Sequence, residues 1–416
     1  MKILIKNIKK LINVRAESPV KPLSGEELGV LPVIDNGYLW IEDGLIGAYG
    51  ESIPSNIAPL EMQADRVIDA TGKMVFPSYC DSHTHLVYAG SREIEFMDKI
   101  RGLSYQEIAR RGGGILNSVE LLHRTSEDQL LAQALVRAEE IIGFGTGAVE
   151  IKSGYGLTLE DEIKMLRVAK RVEEQTPLTV KRTFLGAHAV PARYAGRREE
   201  YVDEIVREMI PAVAAEGLAE YVDIFCEGGF FTVEDSERVF EAGIKYGMRP
   251  KVHANQMSFS GGVQVGVKYN ARSVDHLEYT AEEEFKALKG SDTIATLLPG
   301  ATFFMEMDFA PARDMINYGL PVAIASNYNP GSCPCGDMKF MMALCCLKMK
   351  MFPEEVINAS TINGAFAMDV DGILGSITVG KKANVFITKE VPSYEFLPYS
   401  FSTPLVDTVI LNGKII

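Results

Sequence analysis

The sequence predicts an α/β protein in which a (β/α)8 TIM-like barrel carries a small β-sandwich domain built from both chain termini. Two observations lead to this prediction. Between residues 74 and 372, short apolar segments alternate with segments of helical periodicity, as parallel βα units do. Residues 1–73 and 373–416 instead contain short apolar runs broken by turns, such as Asp43-Gly44. We therefore expect a composite β-domain from the two ends and a barrel from residues 74–372.

Eight apolar segments qualify as barrel strands, the number that a closed barrel of this class requires. Active sites in this fold lie at the C-terminal ends of the strands, so the residues that end each segment are the first candidates for function. In chain order the predicted strands are Met74–Leu86, Gly147–Lys152, Val180–His188, Tyr221–Cys226, Pro250–His253, Ser273–Leu277, Thr293–Leu298 and Pro321–Ser326.

Composition and charge narrow the class of protein. With 47% hydrophobic and 24% charged residues among 416, the chain is expected to be globular with a large core. A formal net charge of −14 argues against nucleic acids and anionic membranes as partners. No apolar run approaches a membrane span, and the N-terminus lacks a signal-peptide pattern. The six cysteines form no C-x-x-C pair, so we expect free thiols and a cytoplasmic location.

The histidines are concentrated where the predicted strands end. Residues i and i+2 of a strand point to the same side, so the two histidines of the first strand can reach one ion. A single buried histidine is more often structural than a ligand, but five on one rim predict a mononuclear metal site. Of the six histidines only His123 lies elsewhere, in a helix-like segment, and the five at strand ends are His83, His85, His188, His253 and His276.

The ligand types indicate the chemistry. His83, His85 and His253 supply three neutral nitrogen ligands and leave positions for water and one further group. A Zn or Fe ion held there lowers the pKa of bound water toward ~7 and polarises a carbonyl. A second group must then take the proton and pass it to a leaving nitrogen, and His276 and Asn327 are placed to do this.

Several blocks around these strand ends resemble the imidazolonepropionases, a family of the amidohydrolase superfamily that acts in histidine degradation. The His-x-His pair is common to the superfamily, whereas the Lys-Ser-Gly-Tyr-Gly and Asp-His-Leu-Glu-Tyr blocks are much more specific to this family. The resemblance extends over nearly the whole length. Its blocks include Asp81-Ser-His-Thr-His85, Glu150-Ile-Lys-Ser-Gly-Tyr155-Gly, Val252-His-Ala-Asn-Gln256, Asp275-His-Leu-Glu-Tyr279 and Asn329-Pro-Gly-Ser332.

The resemblance implies hydrolysis of the lactam C–N bond of 4-imidazolone-5-propanoate to N-formimidoyl-L-glutamate by metal-activated water, the third step of histidine degradation. It implies a homodimer with one Zn or Fe ion per subunit, held by His83, His85, His253 and the residue at position 327. Catalytic roles fall to His276, Asn327 and Gln256. The substrate contacts it implies are Arg92, Tyr155, His188, Gln256, Asn329, Gly331 and Ser332.

Side-chain chemistry supports several of these contacts. The planar guanidinium of Arg92 can bind the propionate of such a substrate bidentately. Tyr155 and Tyr105 can hydrogen-bond the same anion or stack on the ring, although a packing role for Tyr105 is equally expected. His188 can donate to the ring carbonyl where charge develops, and Gln256 can both donate and accept.

Asn327 departs from the family pattern, which has Asp at this position. A carboxylate there would ligate the metal, hold the attacking water and accept its proton. The amide oxygen of Asn327 is a weaker, neutral ligand and cannot act as that base. We therefore expect weakened metal binding and a loss of activity by several powers of ten.

Other readings of the same residues are another mononuclear amidohydrolase, acting as a cyclic amide hydrolase or a deaminase, and a non-catalytic metal- or ligand-binding relic. A binuclear hydrolase would have a lysine at the end of the fourth strand, where Phe225-Cys-Glu227 stands. A deaminase would usually have a glutamate soon after the fifth-strand histidine, where Gln256 stands. Only Asn327 suggests a relic.

The segment from residue 87 to residue 146 is longer than a usual connection between a strand and the next helix or strand. It contains Gly112-Gly-Gly114, which can hinge or approach a ligand closely. We therefore predict that this segment covers the site as a lid.

Overall fold

The computed structural model describes residues 1–103 and 114–416, so Tyr105 and Gly112 lie outside the described residues. The strands of the described residues are β1 (Lys2–Ile12), β2 (Val33–Glu42), β3 (Leu45–Glu51), β4 (Arg66–Asp69), β5 (Met74–Pro77), β6 (Tyr79–Thr84), β7 (Thr146–Lys152), β8 (Thr179–Ala187), β9 (Tyr221–Cys226), β10 (Arg249–Pro250), β11 (Val252–Ala254), β12 (Ser273–His276), β13 (Ile294–Leu297), β14 (Val322–Ile324), β15 (Val385–Thr388), β16 (Val406–Leu411) and β17 (Lys414–Ile415).

Helices connect most of these strands, and none of the described helices has the length and apolar character to cross a bilayer. The α-helices are Pro54–Glu61, Glu93–Ile100, Ile115–Arg124, Glu127–Gly143, Leu159–Gln175, Arg198–Glu204, Ile210–Ala215, Val233–Lys245, Gly262–Lys268, Glu282–Leu288, Pro299–Met305, Ala312–Tyr318, Met338–Met349, Pro353–Ser360, Ile362–Ala367 and Phe396–Tyr399. Short 3₁₀ segments occupy Gly25–Gly29 and Ala192–Tyr194, and a π-helical turn occupies Ile205–Met209.

The barrel is a parallel sheet of eight strands in the order β14-β13-β12-β11-β9-β8-β7-β6, with the short β10 beside β9. The two end strands of this path meet through backbone hydrogen bonds. The Asn327 N–H donates to the His83 carbonyl at 3.0 Å, and the His85 N–H donates to the Tyr328 carbonyl at 2.9 Å. The sheet is therefore nearly closed, which confirms the predicted barrel and brings the ends of all its strands to one rim.

The first predicted strand, Met74–Leu86, is two strands in the structure. β5 pairs with β1 and β15 in the sheet formed by the termini, whereas β6 pairs with β7 in the barrel. The barrel sheet thus begins at Tyr79 rather than at Met74. Every residue of β5 and β6 is buried, so the apolar run lacks the alternation that would have marked the change of sheet.

Strands from both termini form the second sheet, in the order β17-β16-β15-β5-β1-β2-β3, with β4 paired to β1. Leu39 of β2 and Ile410 of β16 belong to one buried apolar cluster although three strands lie between them. The turn between β2 and β3 lies against the turn between β16 and β17, where a Cβ on Gly413 would come within 2.6 Å of Gly44 Cα. The sheet therefore curls around this core, as the predicted sandwich requires. Where the sheet meets the barrel, the rings of Phe76 and Phe386 stack with centroids 5.2 Å apart. All six cysteines are free thiols, as expected.

Candidate metal centre and active site

Three histidines converge at the C-terminal rim of the barrel. His83 lies in β6, His85 directly follows that strand, and His253 lies in β11. Each offers one ring nitrogen, and these three atoms lie within 4.8 Å of one another. The Nε2 atoms of His85 and His253 are 3.4 Å apart, and the ring centroids of His83 and His253 are 4.5 Å apart. The prediction that these three imidazoles converge is confirmed.

Two buried carboxylates orient two of these rings. The Nδ1 atom of His83 lies 2.6 Å from Asp275 Oδ2, and that of His253 lies 3.1 Å from Asp223 Oδ2. When Nδ1–H donates to a carboxylate, Nε2 keeps its lone pair and points it away from that carboxylate. Burial lowers the pKa of His83 and of His253, so both rings are neutral at neutral pH. The neutral imidazole is the form that binds metals.

The donor atoms around this point fit a metal ion. His83 Nε2 and Asn327 Oδ1 are buried and have no hydrogen-bond partner among the described residues. A buried polar atom left in this state costs about 1–3 kcal/mol, so two of them, in residues joined by the backbone hydrogen bond from Asn327 to His83, indicate a bound group. Imidazole nitrogens suit zinc, copper, iron or nickel and are poor ligands for magnesium or calcium.

A cavity of about 390 Å³ lies against the histidine cluster. Its volume is suited to a small-molecule ligand. It brings together most of the residues predicted from sequence, namely His85, Arg92, Tyr155, His188, His253, Gln256, His276, Asn327, Asn329, Gly331 and Ser332.

The apolar part of this cavity was missed by the sequence-based reasoning. It consists of Ile115, Phe225, Phe230, Met257 and Met305. Apolar side chains carry no chemical signal that separates a ligand cavity from the core. Only the position of Phe225 near the end of β9 could have marked it as a rim residue.

Arg92 lies where this cavity meets a second one of about 530 Å³, and its side chain lines both. Its Nε and Nη2 donate to Glu95 Oε2 at 2.8 and 2.5 Å. The Nη1 atom lies against Gly331, where a Cβ atom would come within 1.9 Å of it. Any side chain at position 331 would displace the guanidinium, so Gly331 contributes by leaving space for Arg92.

The loop after β7 carries Tyr155, and one buried carboxylate shapes that loop. Glu162 accepts backbone hydrogen bonds from Gly154, Gly156 and Leu157 at 2.8–3.0 Å. These bonds hold the buried Tyr155 ring 5.8 Å from His85 and 5.5 Å from His188, measured between centroids. Tyr155 therefore lies beside the histidine cluster, and its contact with a substrate stays a prediction.

His188 stacks on His85, with ring centroids 5.0 Å apart and planes 11° from parallel. Its Nδ1 lies 3.0 Å from the Gly154 carbonyl oxygen, which can only accept, so Nδ1 carries a proton. Burial lowers the pKa of His188 to about 3, which leaves the ring neutral and its Nε2 a hydrogen-bond acceptor. This geometry favours acceptance of a ligand N–H over the predicted donation to a carbonyl.

The backbone has positive φ values at three rim residues. His276 and Leu277 have φ values of 89° and 71°, a region that costs a residue other than glycine about 1–3 kcal/mol. Asn327 has φ 55°, which asparagine tolerates better than most residues. The His276 ring centroid lies 5.4 Å from that of His253, and its Nδ1 has no hydrogen-bond partner among the described residues. Backbone strain of the kind found at His276 and Leu277 is typical of active sites.

The amide of Asn329 is fully engaged in its own loop. Its Oδ1 accepts from the N–H groups of Gly331 and Ser332, both at 2.8 Å. Its Nδ2 donates to the Asn327 carbonyl at 2.6 Å and to Ser332 Oγ at 2.8 Å. Asn329 thus fixes the loop that presents Asn327, and a direct substrate contact by Asn329 or Ser332 stays a prediction.

The barrel, the three-histidine cluster and the adjoining cavity define a metal-dependent amidohydrolase, and the amidohydrolase family profile matches residues 74–416. Among curated proteins, the imidazolonepropionase of Flavobacterium johnsoniae is 52% identical over 415 residues, covering 99% of both chains. The imidazolonepropionase of Alkaliphilus oremlandii is 41% identical over 414 residues, covering 99% of this chain and 97% of that protein. The chain belongs to the amidohydrolase family and, within it, to the imidazolonepropionases.

Solved structures agree on the fold. Guanine deaminase from E. coli superposes with a TM-score of 0.75 at 11% identity, covering 100% of this chain and 99% of that one. Triazine hydrolase from Arthrobacter aurescens superposes with a TM-score of 0.72 at 14% identity, covering 100% and 94%. At such low identity these likenesses show the shared architecture alone.

Proposed function

We propose that this protein hydrolyses the lactam C–N bond of 4-imidazolone-5-propanoate to give N-formimidoyl-L-glutamate. Relatives named imidazolonepropionase, 52% and 41% identical over nearly the whole chain, support this substrate. The observation that carries the proposal is one cavity bordered by both the histidine cluster and Arg92. A hydrolytic centre and a cationic anchor in one cavity of about 390 Å³ suit a small ring that bears a carboxylate.

Within this proposal His83, His85 and His253 would hold one Zn or Fe ion, and Asn327 Oδ1 would be available as a further ligand. When bound, such an ion lowers the pKa of a water molecule and polarises a carbonyl. The amide of Asn327 cannot take a proton from that water. His276 is the neighbouring group able to do so, because its Nδ1 is buried and has no hydrogen-bond partner among the described residues.

The substrate would be oriented by other side chains that line the cavity. Arg92 binds the propionate through the N–H groups that Glu95 leaves free, and the Tyr155 hydroxyl donates to the same anion. The neutral His188 accepts an N–H of the ring at Nε2. Gln256, which lines the cavity, can donate to the ring carbonyl or accept from a ring N–H.

Asn327 is proposed to limit the rate, and this gives the deciding experiment. The change Asn327→Asp should raise kcat for imidazolone propionate by about 10²–10⁴-fold, the range for a positioned proton acceptor. The rate at which the metal-loaded protein removes the absorbance of the substrate gives kcat. Asn36→Asp is the matched control. It makes the same change at another asparagine with positive φ, which is exposed and lies in the sheet formed by the termini.

The other readings make different predictions for the same assay. A deaminase would release ammonia from an aminated ring and leave the lactam intact. A relic without turnover would bind zinc and substrate but stay inactive after Asn327→Asp. Either result would contradict the proposed reaction.

We further propose that the protein is a cytoplasmic homodimer with one metal ion per subunit, as the family resemblance implies. Light scattering coupled to size-exclusion chromatography tests the dimer. Metal analysis of the same peak gives the stoichiometry and distinguishes zinc from iron.

A further inference from the structure

Next to the histidine cluster, five charged side chains are completely enclosed by the barrel. Three carboxylates face two ammonium groups, and every one of these side chains has zero exposure. Burial of charge is costly unless each charge is paired with good geometry, so the arrangement calls for a function that depends on it. The members are Glu150, Lys152, Asp223, Lys251 and Asp275.

Lys152 is the only member whose ammonium joins both carboxylates that contact the metal-site histidines. Its Nζ lies 2.7 Å from Asp223 Oδ2 and 3.7 Å from Asp275 Oδ2. These two carboxylates contact Nδ1 of His253 and of His83 respectively. One ammonium thus connects two ligand rings that come from different strands.

Asp275 depends on the Lys152 ammonium more than Asp223 does, because Asp223 has a further hydrogen-bond donor. Asp223 also accepts a hydrogen bond from the Ile224 N–H at 2.7 Å through its Oδ1. The Oδ1 of Asp275 has no hydrogen-bond partner among the described residues. Without a cation between them, two buried like charges would repel and turn away from the geometry that holds the rings.

We infer that Lys152 is a positioning residue for the metal centre: it fixes Asp223 and Asp275, and through them the orientation of His253 and His83. Residues that contact metal ligands directly contribute a factor of about 10–100 to metal affinity. Lys152 acts one contact further out, so we expect the lower end of this range, about tenfold. The inference rests on the metal site of the proposed function but not on the identity of the substrate.

Lys251 provides a matched control inside the same cluster. It pairs with Glu150, and its Nζ donates to the carbonyls of Ser82 at 3.1 Å and Ala367 at 3.2 Å. Lys251 is as buried as Lys152. Its ammonium contacts backbone carbonyls, however, whereas that of Lys152 contacts the carboxylates that orient the histidines. Through space, the charge of Lys251 lowers the pKa of Asp275 more than that of Lys152 does. The control therefore keeps the electrostatic influence of a buried lysine and lacks only the contact with both orienting carboxylates.

The test compares Lys152→Met with Lys251→Met in two measurements. The first is the affinity of the metal-free protein for Zn²⁺, from competition with a chelator. The second is the urea midpoint of unfolding in EDTA. Both variants should lose stability, but Lys152→Met should lose about tenfold in zinc affinity while Lys251→Met keeps most of it. Equal losses of zinc affinity in the two variants, or none in Lys152→Met, would overturn the inference.

A double-mutant cycle guards against a merely structural effect. In an Asp223→Asn background, Lys152→Met should cost less additional zinc affinity than in the parent, because part of its route is already removed. If the losses of zinc affinity in the two single variants add up in the double variant, Lys152 does not act on the metal site through Asp223. If Lys152→Met does not fold, Asp223→Asn alone must lower zinc affinity for the inference to survive. Zinc binding is measured without substrate, so a failure of lactam hydrolysis would leave this result intact.

Discussion

The two walls of the cavity are built differently. On the histidine wall, His83 and His253 come from barrel strands, are almost fully buried, and contact carboxylates that are themselves buried. On the Arg92 wall, Arg92 precedes a helix, keeps a side chain 15% exposed, and is held by Glu95 from that same helix. Long-range sheet pairing therefore sets the geometry of the chemistry, whereas a local contact sets the position of the substrate anchor.

This difference predicts different kinetic signatures. Changes on the histidine wall should lower kcat and metal content, because they remove groups needed in the transition state. Changes on the Arg92 wall should mainly raise KM, because they remove interactions made equally with the bound substrate.

The largest effect is expected for His253→Ala. Loss of one of three imidazole ligands should lower metal affinity by more than about 10²-fold, beyond the range for residues that only orient a ligand. Metal content should fall from one ion per chain to near zero, with lactam hydrolysis below detection. His123→Ala, a change on the helix Ile115–Arg124, should retain the metal. An active, metal-loaded His253→Ala protein would remove the basis for the proposed centre.

Arg92→Lys should have the next largest effect. Lysine keeps the charge but cannot bind a carboxylate through two parallel N–H groups. A charge-assisted hydrogen bond contributes about 1.5–3 kcal/mol, so KM should rise about 10–100-fold with kcat nearly unchanged. Arg101→Lys, at an exposed arginine whose side chain pairs with Asp98, is the control and should leave both constants unchanged. A fall in kcat without a change in KM would show that the two walls are not separate.

The sequence predicted the histidine wall better than the Arg92 wall, for a physical reason. Polar residues that end apolar strand segments must meet on the rim of a closed barrel, so His83, His253 and His276 could be placed without coordinates. The fixation of Arg92 by Glu95 depends on side-chain conformations that leave no periodic signal.

The buried charge network was equally inaccessible to sequence reasoning. Lys152 and Asp223 form an ion pair although they lie 71 positions apart in the chain. The pattern of apolar residues in their two strands does not indicate which charged residues will pair. The division of Met74–Leu86 between two sheets was missed because both parts are wholly buried.

The smallest effect concerns how the histidine wall is joined to the loop that carries Asn327. Asp81 in β6 accepts hydrogen bonds from the Ser326 N–H at 2.9 Å and from Ser326 Oγ at 2.5 Å. Burial raises the pKa of Asp81 to about 7 despite these bonds. An acid with a higher pKa in the folded state binds its proton more tightly there. Its contribution to stability is therefore present at low pH and lost as pH rises from about 4 through 7.

Asp81→Asn should remove this component from the pH dependence of the free energy of unfolding. The buried histidines act in the opposite direction, since their lowered pKa values make the folded state gain stability as pH rises toward 6.5. The parent therefore shows the sum, and the variant should show a steeper rise in stability between about pH 4 and 7. Urea unfolding of both metal-free proteins at several pH values measures the difference. If the two proteins showed the same dependence of unfolding free energy on pH, Asp81 would be ionised in the folded state. Its hydrogen bonds to Ser326 would then join the histidine wall to its loop without raising the pKa of Asp81.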